Sequence, residues 1–321
     1  MSELLFMKPY LKDVLWGGTR LRDEYGYAGA GDHTGEAWCI SATPPGCSTV
    51  KSGTYKDKTL QELWDTHREL FGNISGETFP LLVKIIDAAE DLSIQVHPDD
   101  AQAAALEQRP LGKTECWYVI DAADDADIVI GHNAATKTAL RDFIQKEQWQ
   151  QLLRVLPLCK GDFFFIPPGT VHAIRKGTLI LEIQQNSDIT YRLYDYDRLQ
   201  DGKKRPLHID KSLEVITCPQ QDVPSSPAKT AVFQKCGKGY LHRHLVSCSY
   251  FEADLWQKEE SCADASLTLE QPHPFLLVDI IRGSGHVEGI AIQAGDHFLV
   301  PSGYGTLTFT GNTTFVTSHI A

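Results

Sequence analysis

Residues 161–169 read GDFFFIPPG, and residues 295–303 read GDHFLVPSG. Gly161, Asp162, Phe164, Pro167 and Gly169 recur as Gly295, Asp296, Phe298, Pro301 and Gly303, at a constant offset of 134. The shared pattern is a turn, a short apolar strand and a second turn, with glycine and proline supplying the special backbone angles. A repeated unit of this kind predicts two related β-barrels in one chain. The copies then diverge. His172 follows the first, and Thr306 stands at the same place after the second. Only the first half therefore offers a ligand there, and the second is expected to be a metal-free structural partner.

The rest of the chain fits that frame. A length of 321 residues suits about two domains. The stretch 219–230, PQQDVPSSPAKT, is rich in Pro, Ser and Gln and reads as the linker. It divides residues 1–218, expected to be catalytic, from residues 231–321. The net charge of −12 makes a general nucleic-acid binder a poor fit, because phosphate neutralisation needs clustered cations. A small phosphorylated ligand stays open if a few cations converge locally. No apolar run approaches the length of a transmembrane helix. Eight cysteines without a CxxC pair, and charges at Glu3, Lys8, Lys12 and Asp13 that break any signal-peptide core, predict a cytoplasmic chain with reduced thiols.

Helical spacing predicts a helix within 57–75, where Thr59 and Glu62 form a capping box. A second helix is predicted to open at Asp99 or Asp100, and a third to span about 138–154. FPLLVKII (79–86), LSIQV (92–96), ECWYVI (115–120) and ADIVI (126–130) read as strands. From Leu156 onward the texture is strand and turn throughout.

Four segments could carry chemistry. Gln95 and His97 are two apart near a strand end and share a face. Lys113 and Glu115 do the same at the entry to an apolar strand, where buried charges need a partner, a ligand or a metal. His172 opens a strand three residues after a Pro-x-Gly turn. Glu182 alternates with apolar residues, and Arg192 and Arg198 lie among aromatics and acids further on. Each alone also reads as surface polarity or as a satisfied structural group. Together, Gln95, His97, Glu115 and His172 suit zinc with an open coordination position, and they are also compatible with iron or manganese.

The motifs QVHPDD, GKTECWYV, FFFIPPGTVHAI and EIQQNSDITYRLYDYDR, with VLWGG and GEAWCIS near the start, resemble the type I mannose-6-phosphate isomerases in their short bacterial form. The resemblance runs in the family's order from Val14 to the last strand. It implies a mainly β cupin fold of two jelly-roll barrels, with a few helices decorating the first. It also implies one zinc ion held by Gln95, His97, Glu115 and His172, and interconversion of D-mannose 6-phosphate and D-fructose 6-phosphate through a cis-enediol. The family's catalytic residues fall on Arg192, Lys113 and Glu182. Ser93, Lys113 and Arg192 are the candidates for holding the sugar phosphate, and Lys113, Glu182, Asp188 and a metal-bound hydroxide are rivals for the base. An iron dioxygenase, another sugar isomerase and a non-catalytic sugar-phosphate sensor are the competing readings on the same scaffold.

Overall fold

The computed structural model describes residues 3–44, 46–200 and 202–321. It is mainly β, and three sheets carry the architecture. A seven-stranded sheet runs in the order Ser225–Ser226, Phe163–Ile166, Glu115–Ala122, Thr178–Gln185, Leu81–Ala88, Tyr10–Gly18 and Thr34–Ile40. A five-stranded sheet runs Tyr191–Tyr194, Ile94–Val96, His172–Ile174, Asp127–His132 and Leu153–Pro157. A ten-stranded sheet gathers the strands from Gln234 to Ile320 and takes in Leu5–Lys8, which pairs with His297–Pro301, and Thr49–Val50 beside it. Each of these paths is open at its ends.

The repeat exists in three dimensions. Gly161 and Gly295 have φ of +86° and +89°, and Gly169 and Gly303 have +80° and +68°. Only glycine adopts such angles without strain. Asp162 Oδ2 accepts from Cys159 N at 2.8 Å, and Asp296 Oδ2 accepts from Gln293 N at 2.9 Å. Phe164 pairs with Trp117 and Phe298 with Val278. The same register sets Ile166 opposite Glu115 and Val300 opposite Leu276. The second copy therefore has leucine where the first has Glu115, and Thr306 is exposed opposite Glu270.

The helices differ in detail from expectation. Leu60–Thr66 carries the predicted capping box, and Asp100–Glu107 is capped by Asp99. The helix expected over 138–154 is broken into Lys137–Gln145 and Trp149–Leu152. Glu147 between them has φ of +51°, which a continuous helix cannot contain. Ile209–Val215 is helical where strand and turn were expected. Seven residues are too few for a readable periodicity, and this helix is held from outside. Lys137 Nζ donates to Leu213 O at 2.8 Å and to Ile216 O at its C-terminal end. That is the favourable end for a cation.

Trp64 of the Leu60–Thr66 helix packs edge-on to Phe71 and Phe79, and both of these meet Phe275 of the ten-stranded sheet. This aromatic cluster joins the two halves of the chain. Truncating any of these buried phenylalanines would cost about 3–5 kcal/mol.

Candidate metal centre

Two cross-strand rows build the site. In the five-stranded sheet His172 lies directly opposite Gln95, and Gln95 opposite Arg192. In the seven-stranded sheet Glu182 lies between Lys84 and Trp117. Two close backbone approaches bring the rows together. A Cβ on Gly112 would meet Pro98 and Asp99 backbone atoms at 2.4–2.5 Å, so only glycine lets the Lys113 loop pack on the turn after His97. Lys113 N then donates to Pro98 O at 2.9 Å, and Gly169 N donates to His97 O at 2.9 Å.

His97, Glu115 and His172 are buried and converge. The Nδ1 of His97 meets Ile189 O at 2.8 Å, and that of His172 meets Thr170 O at 2.9 Å. A carbonyl only accepts, so both Nδ1 atoms carry the proton and both Nε2 atoms present lone pairs. Those two Nε2 atoms stand 3.1 Å apart. Glu115 Oε1 is 3.4 Å from His172 Nε2, and Oε2 is 3.6 Å from His97 Nε2. Neither carboxylate oxygen accepts a well-formed hydrogen bond, and Oε2 has the Lys113 ammonium at 2.5 Å. Gln95 lies beside them, with its amide Nε2 3.3 Å from His172 Nε2; the opposite amide orientation would set Oε1 toward the same point. The two Nε2 lone pairs face each other with no proton between them, and Lys113 Nζ lies 3.3 Å from that of His97; the arrangement suits a bound cation. Two neutral imidazoles, a carboxylate and a carboxamide oxygen suit a divalent transition ion.

The electrostatics agree. Burial, with the Lys113 charge behind it, holds His97 well below its ordinary value, and burial pushes His172 down to about 3. Both rings are therefore neutral ligands at pH 7. Burial pushes the Glu115 carboxyl up against the pull of Lys113. Burial also opposes charge on Lys113, but Glu115 and Glu182 outweigh it and hold the ammonium above its ordinary value. Glu182 is buried too, yet Lys113 and Lys84 together hold it below the usual carboxylate range.

A cavity of about 440 Å³ opens onto this cluster. Ser93, Gln95, Lys113, Glu182, Asp188 and Arg192 all line it. Arg192 donates through Nη1 to Pro206 O at 2.9 Å, while its buried Nε has no partner. Burial and the nearby Arg205 both press against its charge, an environment that an incoming anion would relieve. Arg198 does not line the cavity. It is tied to Asp195 at 2.6 Å and to Asp91 O, and it stacks over Tyr196.

Lys84, Trp38 and Arg205 also line the cavity and were not singled out from the sequence. Lys84 had a signal, as the one charge inside the apolar strand FPLLVKII. Its Nζ lies 2.9 Å from Glu182 Oε2 and 2.8 Å from Gln184 Oε1, and 5.4 Å from the Trp38 ring centre. Lys12, Lys84, Lys113, Arg192 and Arg205 give one cavity five cations in a chain of net charge −12.

Comparison with known proteins identifies the family. Residues 4–111 match the model of the phosphomannose isomerase type I catalytic domain, and residues 242–320 that of the mannose-6-phosphate isomerase cupin domain. The chain is 47% identical over 324 residues to mannose-6-phosphate isomerase ManA of Bacillus subtilis, covering 99% of each protein. It is 44% identical to a mannose-6-phosphate isomerase of Streptococcus mutans, again over 99% of each. A crystal structure of the mannose 6-phosphate isomerase from Bacillus subtilis superposes with a TM-score of 0.93 at 42% identity, over 99% of this chain and all of that one. The chain belongs to the type I phosphomannose isomerase family.

Proposed function

We propose that this chain interconverts D-mannose 6-phosphate and D-fructose 6-phosphate through a cis-enediol, with one zinc ion held by Gln95, His97, Glu115 and His172. The observation that carries the reading is the pair of unprotonated Nε2 atoms 3.1 Å apart beside the buried Glu115 carboxylate, next to a cavity lined by Gln95, Lys113, Glu182 and Arg192. Zinc bound there would act as a Lewis acid on the sugar's oxygens.

The chain's own residues supply the rest. Lys113, held cationic by two carboxylates, faces substrate oxygens as positive charge rather than as a base. Arg192 adds a fixed donor towards the charge that develops on the enediolate. We assign the proton transfer between the first two carbons to Glu182, a cavity-lining carboxylate kept ionised by Lys84 and Lys113, with Asp188 and a metal-bound hydroxide as its rivals. Asp188 sits at the rim, its carboxylate half exposed and 3.4 Å from Arg109. The phosphate is assigned to Ser93, Lys113 and Arg192, with Lys84 added from the cavity wall.

The same reading takes residues 1–218 as the catalytic jelly roll and residues 231–321 as its degenerate copy. Leu5–Lys8 would then be a strand lent by the first unit to the second. Eight unpaired cysteines suit a reducing, cytoplasmic setting. No helix among the described residues is long and apolar enough to cross a membrane.

The test is conversion of mannose 6-phosphate in deuterium oxide, followed by NMR. The proposal expects fructose 6-phosphate carrying solvent deuterium at carbon 1. Absence of conversion would refute the activity, and solvent deuterium at carbon 1 would exclude a direct hydride shift.

A further inference from the structure

Three arginines share one carboxylate beside the cavity. Arg205 donates to both oxygens of Asp195, through Nε at 2.7 Å and Nη2 at 2.5 Å. Arg198 donates to the same carboxylate at 2.6 Å. The chain after Arg205 lies along Arg192. Arg192 Nη1 donates to Pro206 O at 2.9 Å, and Arg192 N donates to His208 Nδ1 at 3.1 Å. His208 N donates back to Arg192 O at 2.8 Å. These bonds hold Arg205 next to Arg192, and both of them line the cavity.

The charges there do not balance. Asp195 can neutralise one guanidinium and already serves two. Among the described residues Arg192 has no carboxylate of its own, and its buried Nε has no partner. Burial and the charges of Arg205 and Arg198 press against it, with Asp195 as the opposing charge. The lysines of the cavity differ. Lys113 is held by Glu115 at 2.5 Å and Lys84 by Glu182 at 2.9 Å. Lys113 also lies 3.3 Å from His97 Nε2, at the metal end. The phosphate of a hexose 6-phosphate sits at the opposite end of the sugar from the reacting carbons. The surplus positive charge of the cavity therefore belongs to the arginines.

We propose that Arg205 is a substrate-binding residue that clamps the sugar's phosphate together with Arg192. The inference rests on the isomerase reading above and adds a residue to its phosphate site. A guanidinium fork matches phosphate oxygens, and Asp195 holds the Arg205 fork in place before substrate arrives. Nε and Nη2 are used in that anchorage, which leaves the Nη1 hydrogens for the ligand. A dianion relieves the repulsion between the two arginines, and a sugar without phosphate does not, so the site selects for the phosphorylated form.

The test is steady-state kinetics on the metal-loaded full chain with mannose 6-phosphate, and with inorganic phosphate as competing inhibitor. Arg205→Ala should raise KM and weaken phosphate inhibition, each by roughly ten- to a hundredfold, with kcat changed far less. Arg205→Lys keeps the charge, guards against a variant that merely fails to fold, and should give intermediate values. Arg198→Ala removes the other arginine from Asp195 but none from the cavity, and should stay within about twofold of native in KM. Native KM and native phosphate inhibition in both Arg205 variants would overturn the proposal. So would equal shifts in Arg205→Ala and Arg198→Ala, which would make the Asp195 pairs structural. Failure of the native chain to convert mannose 6-phosphate would instead refute the activity itself.

Discussion

Lys84 Nζ stands 2.9 Å from Glu182 Oε2 in the core of the seven-stranded sheet, and the two residues are direct cross-strand partners. A buried lysine thereby fixes the charge state of a carboxylate on the cavity floor. Replacing Lys84 with Met leaves Glu182 with the Trp117 indole at 3.1 Å and one cation, Lys113, 3.7 Å away. Breaking a buried pair from one side costs up to about 3–5 kcal/mol. Lys84→Met should lower the urea midpoint and turnover while leaving metal content unchanged. A variant with native stability and turnover would show that the pair is dispensable.

His172→Ala should remove metal and activity together. The imidazole is fully buried and supplies one of the two facing lone pairs. Metal analysis of the purified variant, compared with its turnover, checks this. A full complement of metal with normal turnover would contradict the ligand assignment.

Arg192→Ala should keep the metal and lose turnover by ~10²–10³, the usual cost of one donor to a developing oxyanion. Arg192 touches none of the proposed ligands through a side-chain bond, since its recorded donor contact runs to Pro206 O. Steady-state kinetics beside metal analysis separate the two effects. Unchanged kcat and KM would make Arg192 structural.

Gly112→Ala should damage the site without touching a ligand. The added methyl would sit 2.4–2.7 Å from backbone atoms of residues 98–100, and that backbone must move. Lys113 and Glu115 move with it. The expectation is weaker metal retention in chelator competition. Native retention would mean the loop adapts freely.

Much of this was legible in the residues. The ligand candidates sit in short motifs whose period of two puts Gln95 with His97, and Lys113 with Glu115, on one face, and the structure brings His97, Glu115 and His172 together. The repeat was legible because Gly161, Gly169, Gly295 and Gly303 need positive φ, which ties sequence to conformation. Lys84 was passed over because periodicity reads a strand by its apolar majority and gives no weight to one cation within it. The Ile209–Val215 helix was missed because tertiary contacts, Lys137 among them, stabilise a segment too short to declare itself. The break at Glu147 was invisible because a non-glycine residue in the left-handed region leaves no compositional mark.

Metal-free protein should lose stability as pH falls through the histidine range. The unfolded chain protonates both imidazoles below about 6.5. Folded, burial keeps His172 neutral down to about 3, and His97 is also held well below its ordinary value. The unfolded state therefore binds more protons, and stability rises with pH in that window. Glu115, raised by burial, opposes this by holding a proton that the unfolded chain releases. A net of about one proton gives a slope of ~1.4 kcal/mol per pH unit between about pH 6 and 5. Urea titrations of chelated protein measure it, and a flat profile would contradict the buried neutral pair.

The central claim is that the facing lone pairs of His97 and His172, with Glu115 and Gln95, hold the ion on which isomerisation depends. The most direct measurement is a coupled assay with mannose 6-phosphate on protein as isolated, after chelation, and after stoichiometric zinc is returned. The account predicts turnover that disappears with the metal and returns with about one equivalent of zinc per chain. Turnover that survives complete removal of metal would contradict it.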